Sequence, residues 1–307
     1  MIHRLILFAI SISFVCSSQQ VLAQKEEAGQ LELFCGGALG FADTNWLRLF
    51  DVQLNATPGL RWRMGHDWSI AFQGLIPIVS TGYTYREIEN KYWRVNMATV
   101  SRQIHFNKAN QHLKLTAGLF GKRRYGIDAK WAWPVNDWLL LNAEAGITSS
   151  WIMGTDFCGN YDVDFHGGSK ITGIVGADVY LHPYNIELRM SGGRYIYGDY
   201  GSQIELMRHF KHCTLLTYVQ LRIGELTSNI YDNKSYRTNG GFAITWILPP
   251  YRKSSRKVVM RPASFFQQVY SARSDGQSMK LYSVDPEENK REHQIDVDWG
   301  LRKEVAP

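Results

Sequence analysis

Apolar and polar residues alternate over long stretches of this chain, which leaves few folds open to it. Between residues 125 and 133, odd positions hold Tyr125, Ile127, Ala129, Trp131 and Trp133, and even positions hold Gly126, Asp128, Lys130 and Ala132. Residues 51–64, 139–147, 186–190, 214–223 and 242–248 repeat the same period of two. Because successive side chains of a strand point to opposite faces, the pattern predicts an all-β, antiparallel fold with one apolar and one polar face.

The alternation predicts about twelve strands. They cover residues 31–42, 48–64, 67–79, 91–106, 111–120, 124–134, 138–153, 168–181, 184–195, 200–210, 213–224 and 239–249. Strands of about ten residues match the apolar band of an outer membrane.

The connections between these strands alternate in length. Residues 65–66, 107–110, 135–137, 182–183 and 211–212 form short turns, whereas 80–90, 154–167 and 225–238 are long and polar. Outer-membrane barrels place short turns in the periplasm and long loops outside the cell. An even number of strands then returns both termini to the periplasm.

A secreted β-sandwich would also alternate, so two further patterns are needed to separate it from a barrel. Aromatic residues rim the apolar stripes, namely Trp93, Trp131, Trp133, Trp138, Trp151 and Trp246. The polar stripes carry balanced charge, with Lys114, Lys130, Arg189 and Arg222 against Asp128, Glu144, Asp178, Glu187 and Glu205. Both patterns favour a transmembrane barrel with interfacial aromatic girdles and a charged interior.

The two ends of the chain differ from its centre. Residues 1–23 resemble a secretory signal, with cationic His3 and Arg4, an apolar stretch at 5–15, and a cleavage site after Ala23. A membrane anchor, or a lipoprotein modified at Cys16, is the alternative. We therefore expect a signal peptide (1–23), a barrel (24–250) and a short periplasmic C-terminal tail (251–307), with candidate strands at 265–270 and 295–299.

Composition and motifs exclude several function classes. The net charge of +6 is spread along the chain, which does not favour nucleic-acid binding. The sequence has no metal motif, phosphate loop or nucleophile elbow, so we predict no metal, no cofactor and no enzymatic activity. The alternative is a lipid- or glycan-modifying barrel enzyme that uses the acidic residues and His166 of 154–167. Cys35, Cys158 and Cys213 lack metal-ligand spacing, and their number leaves no complete disulfide framework.

A series of short motifs resembles the YjbH family of outer-membrane proteins associated with exopolysaccharide production. The motifs are Gly193-Arg194-Tyr195-Ile196-Tyr197-Gly198-Asp199-Tyr200-Gly201, the strand end Arg208-His209-Phe210, the closing strand that runs from Gly240 to Pro249, the pair Arg261-Pro262, and Asp275-Gly276-Gln277. The similarity extends weakly over most of residues 50–280, and the chain is shorter than typical members. The resemblance implies a role in polysaccharide export or maturation.

Candidate binding residues at the rim and in the interior come from this motif and from the strand that precedes it: Glu187, Arg189, Arg194, Tyr195 and Asp199. Strand parity directs Glu187, Arg189 and Tyr195 inward and Arg194 outward, where it could bind lipopolysaccharide phosphates or simply snorkel. The predicted function is a non-enzymatic outer-membrane barrel supporting exopolysaccharide or capsule production, with polysaccharide and export machinery as partners. The alternative is a general porin-like channel for small solutes.

Overall fold

The structure is a computed structural model that describes residues 29–42, 51–65, 67–80, 93–106, 110–121, 124–150, 170–196, 198–223, 236–249, 256–271 and 282–288. Most of these residues lie in fourteen strands. They are β1 (Leu31–Ala42), β2 (Asp51–Arg63), β3 (Trp68–Ser80), β4 (Arg94–Phe106), β5 (Gln111–Phe120), β6 (Arg124–Asn136), β7 (Leu139–Ser150), β8 (Lys170–Leu181), β9 (Ile186–Arg194), β10 (Tyr200–His209), β11 (Cys213–Ile223), β12 (Tyr236–Ile247), β13 (Val258–Pro262) and β14 (Phe265–Ser271). A 3-10 turn, His182–Tyr184, joins β8 to β9. Within the described ranges, no helix has the length and apolar character needed to span a membrane.

All fourteen strands belong to one sheet, in which β1 to β12 pair in chain order as antiparallel neighbours. The predicted all-β, antiparallel fold is confirmed. The first and last residues of each of the twelve predicted strands lie within three residues of those of an observed strand. The expected number of about twelve strands is too low, however. The two further strands come from the segment that the sequence assigned to a tail; β14 confirms the candidate strand at 265–270, whereas β13 was not predicted.

Strands β13 and β14 lie at opposite ends of the sheet although they are consecutive in the chain. β13 pairs in parallel with β1, and β14 pairs antiparallel with β12. Only residues 263–264 separate them: Ala263 N–H donates to Cys35 O on β1 (2.9 Å), and Leu248 N–H, just beyond β12, donates to Ser264 O (2.9 Å). Residues 258–271 therefore connect the two edges of the twelve-strand meander.

Burial across the sheet is the reverse of that in a water-soluble protein. Among the side chains that the structure describes, 22 polar or charged ones are buried, against 15 apolar ones. In β6, Asp128 and Lys130 are buried, whereas Ile127 is 62% exposed. Large apolar side chains such as Ile147, Val175 and Val219 are also exposed. The polar face of the sheet is thus its interior, and the apolar face is its outer surface.

Exposed aromatic residues collect near the two ends of the strands. Near the end that carries the short turns lie Trp62, Trp68, Phe106, Trp138, Tyr184, Phe210 and Trp246; near the other end lie Trp93, Tyr125 and Tyr200. Arg102 stacks over Trp68, and Arg208 stacks over Phe210, each about 5.4 Å from the ring centroid. Phe72, Phe242 and its cross-strand partner Tyr270 are also exposed, nearer the middle of the sheet. The outer surface therefore has a mainly aliphatic centre between two aromatic belts.

Several predictions fall outside the described residues. They concern the signal peptide at 1–23, the long connection 154–167 with its acidic residues and His166, and the candidate strand 295–299. Most of 80–90 and 225–238 is also outside. The prediction that residues 251–307 form a C-terminal tail is corrected in part. Residues 258–271 of that stretch belong to the sheet, where they pair with β1 and β12.

Candidate functional site

The first polar cluster is centred on Arg189 in β9. Cross-strand pairing sets Arg189 opposite Asp178 on β8 and opposite Glu205 on β10. The guanidinium lies 3.3 Å from Asp178 Oδ2, 2.9 Å from Glu187 Oε1 and 3.6 Å from Glu205 Oε2. The Arg189 side chain thus pairs with carboxylates on three adjacent strands, β8, β9 and β10.

His209 extends this cluster on the other side of Glu187. Its Nε2 lies 3.0 Å from Glu187 Oε2, and its Nδ1 lies 3.1 Å from the Thr214 hydroxyl. Glu187 and His209 are both almost fully buried. The structure therefore brings together two of the predicted site residues, Glu187 and Arg189. Their contacts link neighbouring strands, as expected of a structural role.

The second cluster lies at the end of β9 opposite the short turns, about 20 Å further along the strand at 3.3 Å per residue. Tyr195 N–H donates to Asp199 O (2.8 Å), and Gly198, with φ +84°, donates to Tyr195 O (2.9 Å). Arg222 of β11 pairs with the Asp199 carboxylate, with Nε 2.6 Å from Oδ2. Asp199 is therefore fixed by a neighbouring strand.

Tyr195 is buried inside this rim, whereas Arg194 is exposed, in the arrangement that strand parity predicts. Gly201 makes room for the phenol, since a Cβ there would lie 2.9 Å from Tyr195 Cε2. Burial, and then the charge of Asp199, raise the pKa of Tyr195 to about 12. The phenol is therefore protonated at neutral pH.

A third group of contacts comes from residues 282–288, which lie on the polar face and which we call the acidic segment. The Tyr282 hydroxyl donates to Asp128 Oδ2 (2.9 Å) and lies 3.0 Å from the Thr172 hydroxyl. Its ring stacks on Phe120, with centroids 5.7 Å apart. Gly146 leaves the space that this hydroxyl occupies, because a Cβ at Gly146 would collide with it.

The next residues fix the backbone of the acidic segment. Gly121 N–H donates to Ser283 O (2.9 Å). Val284 is 1% exposed and packs with Phe120 and Ile196, at the same end of the sheet as the rim cluster. The first residues of the acidic segment therefore lie near the end of the polar face opposite the short turns.

Three carboxylates of the acidic segment pair with bases of the sheet. Asp285 pairs with Arg61 and with Lys114 Nζ (3.1 Å). Arg261 grips Glu287 with two nitrogens, Nη1 at 2.8 Å from Oε1 and Nη2 at 2.7 Å from Oε2. Further polar contacts join Lys130 to Glu288 (3.3 Å), Gln73 to Pro286 O (3.1 Å) and Ser264 N–H to Glu287 (2.8 Å).

The pairs made by Asp285 and Glu287 hold these two carboxylates ionised. Burial on its own would raise the pKa of Asp285, but the charges of Arg61 and Lys114 outweigh it and keep that pKa well below its usual range. Burial opposes ionisation of Glu287 in the same way, and Arg261 and Arg61 lower its pKa. The acidic segment is thus bound as an anion.

Sequence reasoning assigned this segment to a charge-dense tail and missed its role. The available signal was complementarity: Asp285-Pro286-Glu287-Glu288 is acidic, whereas inward positions of β2, β5, β6 and β13 carry bases, namely Arg61, Arg63, Lys114, Lys130 and Arg261. In the described part of the chain, no group of three or more His, Cys, Asp or Glu residues is arranged to hold a metal ion.

Comparison with known proteins gives a distant likeness among solved structures. No family model matches the chain, and no curated protein matches it. Among solved structures it is similar to "Salmonella typhi OmpF complex with Daunomycin", with 8% sequence identity and a TM-score of 0.45, over 80% of this chain and 97% of that one. At this identity and TM-score, the likeness carries no functional information.

Proposed function

We propose that this chain is a β-barrel of the Gram-negative outer membrane, with its apolar face toward lipid and its polar face around an interior. The reversed burial is the observation that carries this proposal. In water, each exposed apolar side chain would forgo about 25 cal/mol for every Å² left unburied, whereas in lipid that surface is favourable. The two aromatic belts fit the two membrane interfaces.

The closing segment supports the barrel over a secreted sandwich. A sheet in lipid must leave no edge with unpaired backbone groups. Residues 258–271 pair with β1 through their first half and with β12 through their second, which joins the two edges. If β13 and β14 are counted as one continuous strand, the barrel has thirteen strands. The parallel pairing of β13 with β1 then closes it.

The orientation follows from the connections. Short turns belong in the periplasm, so the start of β1 lies there, downstream of a signal peptide that is cleaved after Ala23. The prediction that the whole tail 251–307 is periplasmic needs revision, because 258–271 complete the barrel and 282–288 occupy the interior. Arg194 is exposed at the outer rim, where its guanidinium can bind lipopolysaccharide phosphates.

Membrane fractionation tests the barrel. The full chain, expressed with its own leader, should sediment with outer membranes, and its unheated band should shift on a gel after heating. Recovery as a soluble periplasmic monomer would contradict the proposal and favour the sandwich.

Within this location, the proposed role is non-enzymatic support of exopolysaccharide or capsule production. The support for it is the Gly193–Gly201 motif, whose Tyr195 and Asp199 build a rim fixed by Arg222. Deletion of the gene should lower surface polysaccharide. In the deletion strain, a gene carrying Arg194→Gln should restore surface polysaccharide poorly. A gene carrying Lys211→Gln, which removes an exposed charge at the opposite end of the barrel, should restore it fully.

A channel for small solutes is the second candidate, favoured by the charged polar face. Unchanged polysaccharide in the deletion strain, together with altered solute uptake, would support the channel and contradict the polysaccharide role. The residues that suggested a barrel enzyme, in 154–167, are outside the described part of the chain.

A further inference from the structure

We propose that the acidic segment, residues 282–288, is a plug that closes the barrel to ions, and that displacing it opens a conducting pore. This inference rests on the proposed membrane barrel and adds an autoinhibitory contact to it.

The plug crosses the interior rather than lining one wall. Within seven residues, it contacts β2 through Arg61, β3 through Gln73, β5 through Lys114, β6 through Asp128 and β8 through Thr172. Glu287 also reaches Arg261 on β13, on the far side of β1. In a closed barrel these strands surround more than half of the circumference, so a segment touching all of them spans the interior.

The plug is held mainly by charge, which makes it displaceable. The wall around it has an excess of basic residues: Arg61, Arg63, Lys114, Lys130 and Arg261, against Glu32, Asp128 and Glu144. Asp285, Glu287 and Glu288 supply the missing negative charge. Once water enters, the wall charges can be hydrated, so an open state with the barrel intact is accessible.

Conductance of the purified protein in planar bilayers tests the plug. The native chain should be almost silent at neutral pH. A variant with Asp285→Asn, Glu287→Gln and Glu288→Gln should conduct, with the open fraction rising roughly tenfold for each charged hydrogen bond lost. Native conductance equal to that of this neutral variant would overturn the proposal.

A steric variant separates displacement of the plug from loss of charge. Gly146→Ala places a methyl group where the Tyr282 hydroxyl sits and should open the pore with every charge retained. Gly173→Ala is the matched control, since Gly173 lies on the adjoining strand with open space around its Cβ position. Equal conductance of the two variants would contradict the proposed plug.

A reversible lock provides the decisive comparison. A Cβ built at Gly121 lies 3.5 Å from Ser283 Cβ, within about 3.5–4.5 Å, the spacing of a disulfide. Gly121→Cys with Ser283→Cys, added to the neutral variant after replacing Cys35, Cys158 and Cys213 with Ser, should be silent when oxidised and conduct when reduced. Equal conductance in both states would overturn the inference.

The proposed barrel is tested on the same preparations by the heat-dependent gel shift. Preparations that show the shift and insert into bilayers, yet conduct equally with and without the lock, contradict only the plug. Absence of the shift in the native chain contradicts the barrel itself.

Discussion

At the scale of single residues, Arg189 pairs with three carboxylates, those of Asp178, Glu187 and Glu205. Arg189→Gln would leave these buried charges without their cation. Removing one partner of a buried ion pair costs about 3–5 kcal/mol, so we expect the free energy of unfolding in urea to fall by that amount.

Arg194→Gln is the control for this prediction. The Arg194 side chain is exposed at the end of the same strand, and exposed substitutions usually change stability by less than about 0.5 kcal/mol. Equal losses in the two variants would show that Arg189 is not the centre of the cluster.

The acidic segment has a predictable response to pH. A carboxyl whose pKa is lowered in the folded state stabilises that state above its ordinary pKa, and the contribution is lost as pH falls through the lowered value. The pKa of Asp285 is lowered by Arg61 and Lys114. The pKa of Glu287 is lowered by Arg261 and Arg61, which also pair with Glu32.

We therefore expect native conductance in bilayers to stay near zero from pH 7 to about pH 5, because both carboxyls remain ionised well below their usual range near 4. A pore that opens between pH 6 and pH 5 would contradict this account of the plug.

At the scale of elements, strands differ in how far sequence reveals them. Strands β1 to β12 are predicted closely because alternation and turns are local signals, readable within about ten residues. β13 is five residues long and pairs with β1 across more than 200 positions, as Leu31 does with Val258. The acidic segment has no periodicity, and its contacts with Arg61 and Lys130 depend on the finished sheet.

The closing segment gives a prediction of its own. A chain that ends at residue 257 lacks both closing strands and leaves unpaired edges on β1 and β12, so it should fail to enter the outer membrane. A chain that ends at residue 271 retains them and should enter. Fractionation and the gel shift measure both, and membrane insertion of the shorter chain would show that 258–271 do not close the barrel.

At the scale of the whole molecule, the separation of polar and apolar side chains onto two faces of the sheet determines where each site residue lies. The five candidate site residues separate into an interior pair, Glu187 and Arg189, and a rim group, Arg194, Tyr195 and Asp199. Strand parity could predict which side each faces because it follows from the period of two. The partners of the site residues, such as Arg222 and His209, depend on strand register, which alternation does not specify.

Contact of the apolar face with lipid is the claim on which the rest depends, and spin-label accessibility in outer membranes measures it directly. Labels at Ile147→Cys and Val219→Cys, in a background without native cysteines, should collide with oxygen and not with a water-soluble nickel complex. A label at Lys211→Cys, at the exposed turn, should collide with the nickel complex. Ready access of the nickel complex to the labels at positions 147 and 219 would contradict a membrane-embedded barrel.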